Sequence, residues 1–568
     1  MRAIGTEHIS EGERVLITFE GRTIEARRGE TVAAALSAAG IITLRKTRSG
    51  AARGLFCGMG VCQECRVQVD GEDGIRACMR RIEGPLTVLR QEVRSVARAA
   101  NPAPTAAPSL EPDVLVIGSG AAGLAAAAAA ARAGAEVLIV DERPAPGGQY
   151  YKQIAASADL AAGLSADRQM QRGRDRILRA RETGAIVCSE AEVIAAFQPM
   201  RLLIRTSTGM QTAIPRRLIV ATGAYERGYA VPGWTLPGVM TTGALQTLVR
   251  SYRVLPGNRL LIAGNGPLNL QVALEARAAG ADIVAVAEAA RSNIADSAAA
   301  LSQMLFAAPS LSLKGAAMRA AIALLRIPHL TGARLGKIAK HGDGLVATLV
   351  DADGRERASI DADIVTMGYG FQPSNELLRL LGCRFETSSS ADWLAPVRDP
   401  DGMTSVPGLY AVGDCATLGG AHVAEIEGQI AGLAAARSLG FTAHEPARLR
   451  RTLTRHRRFQ RGLWRLFASP PHAMEQQPAE TIICRCEDVT RADLDQSRDD
   501  GATAIGNVKR ATRAGMGPCQ GRYCGSAGRA LLADDAQGAG EDAYWAARPP
   551  VKPVAIAELI AGLKRSGS

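Results

Sequence analysis

Apolar and polar residues alternate in the first part of the chain, which predicts a small domain built around a sheet. Residues 14–26 alternate on both sides of a Gly-Arg pair, and this pattern predicts a β-hairpin. Thr31 precedes an apolar segment of helical period and is a typical helix N-cap. Residues 66–71 return to strand character after a glycine-rich loop. We therefore expect one domain over residues 1–98.

Two longer stretches share a second pattern, in which an apolar strand, a glycine-rich turn, an Ala-rich helix and another strand follow each other. The first stretch starts at Asp113 and the second at Arg259, and each ends its second strand with an acidic residue. Strands that alternate with helices predict parallel sheets covered by helices, so the expected fold class is α/β. An Ala-rich helical segment, roughly 289–330, interrupts the second stretch.

Length and composition narrow the class of protein. The 568 residues suffice for three or four domains, and 47% hydrophobic with only 4% aromatic residues indicates cores of Ala, Val, Leu and Ile. The net charge is +11, but the basic residues are dispersed and accompany no nucleic-acid-binding motif, so we expect no nucleic-acid partner. No signal peptide is recognised and no apolar run approaches the ~20 residues of a membrane span. We expect a cytoplasmic protein whose clustered thiols bind metal.

Eight of the eleven cysteines form two groups, which are the strongest chemical signal in the sequence. The first group is Cys57, Cys62, Cys65 and Cys78, with the spacing C-x4-C-x2-C-x12-C. This spacing opens like the ligand loop of a plant-type [2Fe–2S] ferredoxin, and nearby glycines let backbone N–H groups face the sulfur atoms. Zinc and a disulfide are the alternatives.

The second group is Cys484, Cys486, Cys519 and Cys524, with the spacing C-x-C-x32-C-x4-C. We expect a second [2Fe–2S] cluster here, with zinc or an empty site as alternatives. The segments CRCEDVT and GMGPCQGRYCG resemble the bacterioferritin-associated-ferredoxin-like domain. That family closes with C-x2-C, so the C-x4-C of this chain leaves ligation by all four thiols open.

The glycine-rich turn of the first strand–helix–strand stretch has the sequence G-x-G-x-x-G. Gly118, Gly120 and Gly123 directly follow an apolar strand and begin a helix, which is the context in which this motif binds a pyrophosphate. Asp141 or Glu142, about twenty residues further on, is expected to accept a hydrogen bond from a ribose hydroxyl. This stretch is therefore predicted to bind a dinucleotide.

Two later segments indicate that this dinucleotide is FAD. An apolar strand ends in Gly413-Asp414, and residues 221–223 have the sequence ATG. Both features resemble the glutathione-reductase-like flavoproteins over about residues 112–440, although their redox-active C-x-x-C is missing here. The resemblance implies a set of FAD-binding residues: Gly118, Gly120, Ala122, Gly123, Asp141, Glu142, Gly148, Gln149, Ala221, Thr222, Gly223, Gly413 and Asp414.

The second stretch carries a weaker nucleotide signal. Gly264 and Gly266 keep two glycines of the motif, but Asn269 stands at the third position. Glu288 ends the second strand and favours NAD over NADP, because a carboxylate repels a 2′-phosphate. Two interpretations remain: an NAD-type nucleotide site, or a lobe kept for architecture that holds an adenine nucleotide structurally or holds none.

Three further patterns each have a structural interpretation that we favour. His422 and Glu425 follow the Gly-Asp segment; a proton-handling role is one interpretation, and a structural histidine is the favoured one. Residues 448–467 predict a basic amphipathic helix, packed on its own domain in the favoured interpretation and on a partner subunit or lipid in the others. The three single cysteines are expected to be small buried residues: Cys188, Cys383 and Cys415.

The order of these parts resembles one family over nearly the whole chain. It is similar to a fusion of the ferredoxin-like and FAD/NAD subunits of bacterial hydrogen cyanide synthase, and to octopine and nopaline oxidases, dye-linked proline and hydroxyproline dehydrogenases and the sarcosine oxidase α subunit. Beside the two cysteine segments, the resemblance is carried by DERPAPGGQYY (141–151), ATGAYER (221–227), GYGFQPSNEL (368–377) and RPPVKPV (548–554).

The resemblance implies an electron-transfer subunit. A separate flavoprotein β subunit of the D-amino-acid-oxidase type oxidises a small amine, and this chain passes the electrons through FAD and two [2Fe–2S] clusters to a respiratory acceptor, such as a quinone at the membrane. FMN at the subunit interface and NAD or another adenine nucleotide are further implied cofactors. A self-sufficient NADH-dependent reductase and a mainly structural subunit are the alternatives, and the amine can be of opine, proline or glycine type.

We therefore expect an α/β flavoprotein with two dinucleotide-binding domains, an N-terminal β-grasp [2Fe–2S] domain and a small C-terminal [2Fe–2S] domain. The expected segments are the N-terminal domain (1–98), a linker (99–112), the FAD domain (113–255 and 352–440), the second dinucleotide domain (256–351), a basic connector (441–480) and the C-terminal domain (481–568).

Overall fold

A computed structural model describes most of the chain. The described residues are 1–2, 13–91, 109–154, 167–291, 294–387, 393–469, 472–502, 504–532 and 544–563. Most of the expected linker 99–112 lies outside them. Within the described residues, no helix combines the length and the apolar character needed to cross a membrane.

The N-terminal domain is a five-stranded sheet with a short helix on it. Its elements are β1 (Arg14–Phe19), β2 (Arg22–Arg27), α1 (Val32–Ala38), β3 (Arg45–Lys46), β4 (Ala52–Arg53), β5 (Arg66–Val69), β6 (Glu72–Arg76) and β7 (Thr87–Arg90). The sheet order is β2-β1-β7-β5-β6, and β1 and β2 form the predicted antiparallel hairpin. The Thr31 hydroxyl accepts a hydrogen bond from the N–H of Ala34 at 3.3 Å, which confirms the predicted helix cap.

The first dinucleotide lobe begins after the linker with a buried apolar strand. Its elements are β8 (Val114–Ile117), α2 (Ala121–Arg132), β9 (Val137–Val140), α3 (Arg168–Glu182), β10 (Ile186–Cys188), β11 (Glu192–Phe197), β12 (Arg201–Thr206), β13 (Gly209–Ala213), β14 (Arg217–Val220) and β15 (Ala224–Glu226). Strands β11 to β13 form a separate antiparallel sheet. This meander returns the chain to the parallel sheet through β14.

The second lobe repeats the strand–helix–strand pattern and adds a meander of its own. Its elements are β16 (Val239–Thr241), α4 (Thr242–Tyr252), β17 (Arg259–Gly264), α5 (Pro267–Ala278), β18 (Asp282–Glu288), α6 (Ile294–Ala307), α7 (Pro309–Leu324), β19 (His329–Thr331), β20 (Arg334–His341), β21 (Gly344–Val350), β22 (Glu356–Ala362) and β23 (Ile364–Gly368). The parallel sheet has the order β16-β23-β17-β18-β19.

The expected boundaries of the second lobe, 256 and 351, were too narrow. Strand β16 pairs with β23, and β23 pairs with β17 at the centre of the second sheet. Residues 239–255 and 352–368 therefore belong to the second lobe. Strand β23 is fully buried, so its apolar run needs two sheet neighbours, and it finds them in this lobe.

The chain then returns to the first lobe. The elements are β24 (Phe371–Pro373), α8 (Glu376–Leu380), β25 (Phe385–Thr387), β26 (Leu394–Pro396), β27 (Leu409–Ala411) and α9 (Gly420–Ser438). Strand β27 completes the parallel sheet β10-β9-β8-β14-β27. Helix α9 packs on α2 so closely that a Cβ on Gly428 would lie 2.1 Å from the carbonyl oxygen of Ala122. This contact places the middle of α9 against the start of α2.

The remaining elements are the connector helix and the C-terminal domain: α10 (Arg448–Leu466), β28 (Ile482–Cys484), β29 (Val489–Thr490), α11 (Arg491–Asp499), α12 (Ile505–Thr512), α13 (Gly525–Leu532) and α14 (Ile556–Leu563). Helix α10 packs against α6 and α9, with Leu453 buried. Arg457 of α10 forms an ion pair with Glu427 of α9 at 2.7 Å. The connector is thus the packed helix that we favoured from its sequence.

Candidate redox site

The first glycine-rich turn connects β8 to α2. Gly118 has φ = +100°, and a Cβ on it would lie 2.5 Å from the carbonyl oxygen of Ala221. A Cβ on Gly123 would lie 1.8 Å from the carbonyl oxygen of Gly118, so both positions require glycine. A Cβ on Gly120 would make only an ordinary contact, at 3.9 Å from Gly148. The turn thus leaves room for a pyrophosphate at the N-terminus of α2, as its motif predicts.

Asp141 holds the turn from the end of β9. Its Oδ2 accepts hydrogen bonds from the backbone N–H and the hydroxyl of Ser119, both at 2.6 Å, and its Oδ1 accepts one from the N–H of Arg143 at 2.8 Å. A carboxylate offers about four acceptor positions, so one remains for a ribose hydroxyl. Glu142 instead forms an ion pair with Lys552. Of the two predicted acceptors, Asp141 is the one whose position fits.

The Gly-Asp segment lies at the same edge of the sheet as the glycine-rich turn, because β27 and β8 both run parallel to β14. A Cβ on Gly413 would lie 3.0 Å from the Cβ of Ala122 at the start of α2. The Asp414 carboxylate accepts hydrogen bonds from the N–H groups of Gly419 and Gly420 at 3.0 and 2.9 Å. Burial nevertheless raises the pKa of Asp414 to about 6. A ligand with hydroxyl groups would give this carboxyl group the donors that it lacks.

The crossover segment 221–223 completes this edge. The Thr222 hydroxyl donates to the carbonyl oxygen of Ser374 at 2.5 Å, which ties β14 to the chain as it returns from the second lobe. Gly148 packs against the middle glycine of the turn, since a Cβ on it would lie 2.8 Å from that residue's Cα. Gln149 follows as a half-buried residue. The residues predicted for FAD therefore meet at one edge of the first sheet, Glu142 excepted.

At the equivalent edge of the second lobe, two asparagine side chains make hydrogen bonds within the protein. Asn269, at the position of the third glycine, donates from Nδ2 to the carbonyl oxygen of Gly368 at 3.1 Å and accepts from the Thr242 hydroxyl at 2.9 Å. Asn265, between the two glycines, donates to the carbonyl oxygen of Phe467 at 2.5 Å. The residues after α10 thus approach the turn where a pyrophosphate would bind.

Glu288 is also engaged by the protein itself. Its carboxylate lies 3.0 Å from His329 Nε2 and 3.5 Å from the Arg319 guanidinium, and it is 5% exposed. These two partners hold the carboxylate in contacts within the protein. Gly264 and Gly266 retain the turn itself. The second lobe therefore keeps the geometry of the motif, while its recognition groups make internal contacts.

The four thiols of the first cysteine group belong to the N-terminal domain and are buried. The N–H of Cys62 donates to Cys57 Sγ at 3.3 Å, and the N–H of Glu64 lies 3.5 Å from Cys62 Sγ. Burial acts to raise the pKa of Cys57, but hydrogen bonds from the Cys62 thiol and from backbone N–H groups lower it to about 6. A hydrogen bond that the Cys78 thiol donates to Cys65, together with burial, raises the pKa of Cys78. The four thiols thus form two pairs, and this 2 + 2 arrangement fits a cluster that has two irons.

The second cysteine group also comes together. The Cys484 and Cys486 sulfurs are 3.8 Å apart, and those of Cys486 and Cys519 are 3.5 Å apart. Hydrogen bonds from Cys486 and from Cys524 lower the pKa of Cys484. The unusual C-x4-C therefore still brings all four thiols into one group. Among the described residues, no set of three or more His, Cys, Asp or Glu side chains has the geometry of a single-ion site.

Aromatic side chains connect the two cysteine groups to the first lobe. Phe56 precedes Cys57, Tyr523 precedes Cys524, and the two rings are 5.2 Å apart between centroids. The Tyr523 ring is also 5.7 Å from the ring of Tyr225, which lies on β15 just after the crossover segment. This contact was not predicted from the sequence. The sequence does show an aromatic residue directly before a cysteine in each group, but no sequence pattern indicates that these two aromatic rings are in contact.

The residues after the Gly-Asp segment have structural partners. Glu425 forms an ion pair with Arg176 at 2.5 Å and accepts a hydrogen bond from the Tyr151 hydroxyl at 3.2 Å. His422 stacks on His456 at 5.2 Å, and burial lowers the pKa of His422 to about 4. The buried Nε2 of His422 has no hydrogen-bond partner among the described residues, so both interpretations of this histidine stay open. Of the single cysteines, two are buried and one is half-buried: Cys383, Cys415 and Cys188.

Three family models match the chain in the order of its domains. Residues 12–93 match a 2Fe-2S iron-sulfur cluster binding domain. Residues 112–428 match the pyridine nucleotide-disulphide oxidoreductases, which indicates binding of FAD or NAD. Residues 479–563 match the sarcosine oxidase A3 domain.

Relatives and solved structures agree with these matches. An opine oxidase subunit of Rhizobium meliloti is 33% identical over 79% of this chain and 98% of its own length. The hydrogen cyanide synthase subunit HcnB of Pseudomonas aeruginosa is 32% identical over 72% of this chain and 90% of its own length. L-proline dehydrogenase from P. horikoshii superimposes with a TM-score of 0.71 over 97% of this chain and 98% of its own, at 18% identity, and so shares the fold.

The fold and its sites define a flavoprotein oxidoreductase with two dinucleotide lobes and an N-terminal 2Fe-2S domain. The chain belongs to the pyridine nucleotide-disulphide oxidoreductase family, in the group that includes the opine oxidase subunit of Rhizobium meliloti. This confirms the predicted fold class and the resemblance drawn from the sequence motifs.

Proposed function

We propose that this chain is the electron-transfer subunit of a heteromeric amine or amino-acid dehydrogenase or oxidase. The observation that carries the proposal is the contact between Phe56, Tyr523 and Tyr225, which places both cysteine groups beside the first dinucleotide lobe. A protein with a nucleotide site alone needs neither cysteine group. Iron–sulfur clusters held by two such thiolate groups beside a flavin would let the flavin's electron pair leave as single electrons.

The residues of the first lobe fit FAD, since the glycine-rich turn is open and Asp414 lacks sufficient donors. Each cysteine group has four buried or nearly buried thiols and fits a [2Fe–2S] cluster. When bound, these groups supply the conversion of a two-electron donor into one-electron transfers. The chain's own residues exclude water, hold the thiolates with backbone N–H groups and fix the spacing between the sites.

The amine would be oxidised on a partner subunit. Two relatives are named as subunits of an opine oxidase and a hydrogen cyanide synthase, which supports a heteromer that acts on CH–NH or CH–NH2 donors. We expect the partner to be a flavoprotein of the D-amino-acid-oxidase type with a small amine or amino acid as its substrate. Oxidation of the C–N bond to an imine releases two electrons and two protons, and this chain passes the electrons to a respiratory acceptor, such as a quinone, from the cytoplasmic side. FMN at the interface would be the entry point.

Anaerobic co-purification with the partner tests this proposal. We expect one FAD and about four irons per chain, and reduction of both clusters when the amine is added to the complex. An iron-free chain that still supports full amine turnover would instead make it a mainly structural subunit. Amine turnover that leaves the clusters oxidised would likewise indicate a mainly structural subunit. Reduction of the isolated chain by NADH would make it a self-sufficient reductase.

A further inference from the structure

One arginine lies between the two cysteine groups. Arg485 separates Cys484 from Cys486 in the sequence, yet its side chain points into the interface with the N-terminal domain and is 4% exposed. Its guanidinium carbon lies 3.7 Å from the centre of the Phe56 ring and 4.7 Å from that of Trp234. Its Nη1 donates to the carbonyl oxygen of Trp234 at 2.6 Å. These contacts hold a permanent positive charge in a dry aromatic pocket.

The same arginine faces the loop of the first cysteine group. Glu64 lies between Cys62 and Cys65 and is 1% exposed, and its Oε1 is 3.7 Å from Arg485 Nε. Neither of these two buried atoms has a hydrogen-bond partner among the described residues. Arg485 and Glu64 therefore meet electrostatically without the geometry of a strong ion pair.

Buried positive charge exceeds buried negative charge at this junction. Glu64 also pairs with Arg45 at 3.0 Å and lies 3.8 Å from Arg53. Arg53 in turn pairs with Asp488 at 2.6 Å. Three buried arginines thus share two carboxylates, one of which is partly exposed. A buried cation without a counter-ion is energetically unfavourable, so additional negative charge near this junction would stabilise it.

Both cysteine groups adjoin this junction, since Arg485 lies between Cys484 and Cys486 in the chain and Glu64 directly precedes Cys65. Arg66, which follows Cys65, is half-buried; burial lowers its pKa, and the charges of Cys486 and Cys65 act in the opposite direction, so both groups lie within its electrostatic reach. A [2Fe–2S] cluster with four thiolates carries net negative charge, which increases when the cluster is reduced. Positive charge close to a cluster stabilises its reduced form and raises its reduction potential.

We propose that Arg485 is a positioning residue shared by the two clusters, whose charge raises the reduction potential of both. This inference rests on the proposed function, because it requires a cluster in each cysteine group. Arg485 touches Phe56 on the side of the first group and is bonded in the chain to two ligands of the second. One charge therefore acts on both electron-transfer centres.

The test is a potentiometric titration of the full-length chain with its clusters loaded, followed by electron paramagnetic resonance. Arg485→Met removes the charge and keeps much of the length. We expect the oxidised-to-reduced ratio of both clusters at a fixed potential to rise at least tenfold, which equals about 59 mV for one electron. Arg485→Lys retains the charge and should restore most of the potential of each cluster.

Arg513→Met is the matched control. Arg513 belongs to the same domain and pairs with Glu487 beside Cys486, but its side chain is 57% exposed, so solvent screens its charge. We expect both potentials to be unchanged in this variant. Glu64→Gln serves as a second variant if Arg485→Met does not fold. Loss of the Glu64 charge should move both potentials in the opposite direction, since it removes negative charge from the same junction.

The outcomes separate the inference from the function on which it rests. Clusters that are present but unshifted in Arg485→Met, or a shift in one cluster alone, would overturn the shared role of Arg485 and leave the electron-transfer function intact. A wild-type chain that shows a single cluster signal would overturn the two-cluster function, and the inference with it. Opposite shifts of both potentials in Arg485→Met and Glu64→Gln would support both.

Discussion

The two dinucleotide lobes share one sequence pattern but differ in the contacts made by their glycine-rich turns. In the first lobe, Gly123 allows α2 to approach the turn, while the space above the middle glycine is open in both lobes, at Gly120 and at Gly266. In the second lobe, Asn269 takes the place of the third glycine, and Asn265 donates a hydrogen bond to the carbonyl oxygen of Phe467. A repeated strand–turn–helix pattern thus preserves an architecture, whereas single residues at the turn change the contacts that hold it.

The physical difference lies in what holds each turn together. In the first lobe the carbonyl oxygen of Gly118 faces Gly123 with no space for a side chain, so backbone packs on backbone. In the second lobe the Asn269 amide links β23 to α4 through hydrogen bonds to Gly368 and Thr242. Side-chain hydrogen bonds thus replace, in the second lobe, the close backbone contact that joins helix and strand in the first.

Substitution of Gly123 by Ala should have the strongest effect, the loss of FAD. A Cβ there would lie 1.8 Å from the carbonyl oxygen of Gly118, which belongs to the backbone and cannot move without opening the turn. We expect FAD content, measured by absorbance of the purified chain, to fall at least tenfold. Asn269→Ala, at the matching position of the second lobe, should retain full FAD. Equal FAD content in both variants would mean that the two lobes do not differ in this respect.

The second prediction concerns NADH. Because Glu288 is engaged by His329 and Arg319 and the turn lies against Phe467, we expect the second lobe to bind NADH more weakly than about 1 mM. Anaerobic addition of NADH to the FAD-loaded chain should leave the flavin absorbance unchanged, while dithionite reduces the same sample. Bleaching of the flavin by NADH would contradict this expectation and would make the second lobe a site where electrons enter.

Part of the fold and of the site could be predicted from the sequence, and part could not. The glycine-rich turn, the two cysteine groups, the hairpin of residues 14–26 and the Thr31 cap are local patterns, and the structure has them where they were expected. The boundary of the second lobe was wrong because β23 joins a sheet whose other strands lie far away in the chain. Sequence order does not state which sheet an apolar strand will enter.

The junction between the cysteine groups escaped prediction for a similar reason. Arg485 is one of many dispersed arginines in the sequence, and only the packing of the C-terminal domain on the N-terminal domain places it against Phe56. The roles of Asp141 and Glu142 were equally ambiguous, since adjacent residues at a strand end point in opposite directions. Only the structure shows that Asp141 faces the turn and that Glu142 faces Lys552.

The third prediction concerns the buried carboxyl group of Asp414 in the first lobe. Burial raises the pKa of Asp414 to about 6 in the folded chain, whereas Glu288 of the second lobe is paired with a cation. The protonated Asp414 stabilises the fold, and this contribution is fully present below about pH 4 and is lost as the pH rises through 6. We expect Asp414→Asn to remove this loss, so that the variant gains about 1–2 kcal/mol over the wild type between pH 5 and pH 8.

Urea unfolding at a series of pH values measures this gain. Asparagine keeps an oxygen that can accept from the N–H groups of Gly419 and Gly420, so the local structure is preserved. Asp353→Asn is the control, because the Asp353 side chain is 72% exposed and its variant should follow the wild type at every pH. A pH profile of Asp414→Asn parallel to that of the wild type would show that this carboxyl group does not distinguish the lobes.

The smallest change in stability should come from substitution of Asn265 in the second lobe. Its amide donates to the carbonyl oxygen of Phe467 and accepts from the N–H of Ala290, so it joins the turn to the chain after α10 and to the end of β18. Asn265→Ala should lower the free energy of unfolding by about 1 kcal/mol and leave FAD content unchanged, because the contact is structural. Asn258→Ala, an exposed position before β17, should change stability by less than about 0.5 kcal/mol. If Asn265→Ala instead retained full stability and bound NADH, the contact with Phe467 would be a removable cover over a working nucleotide site.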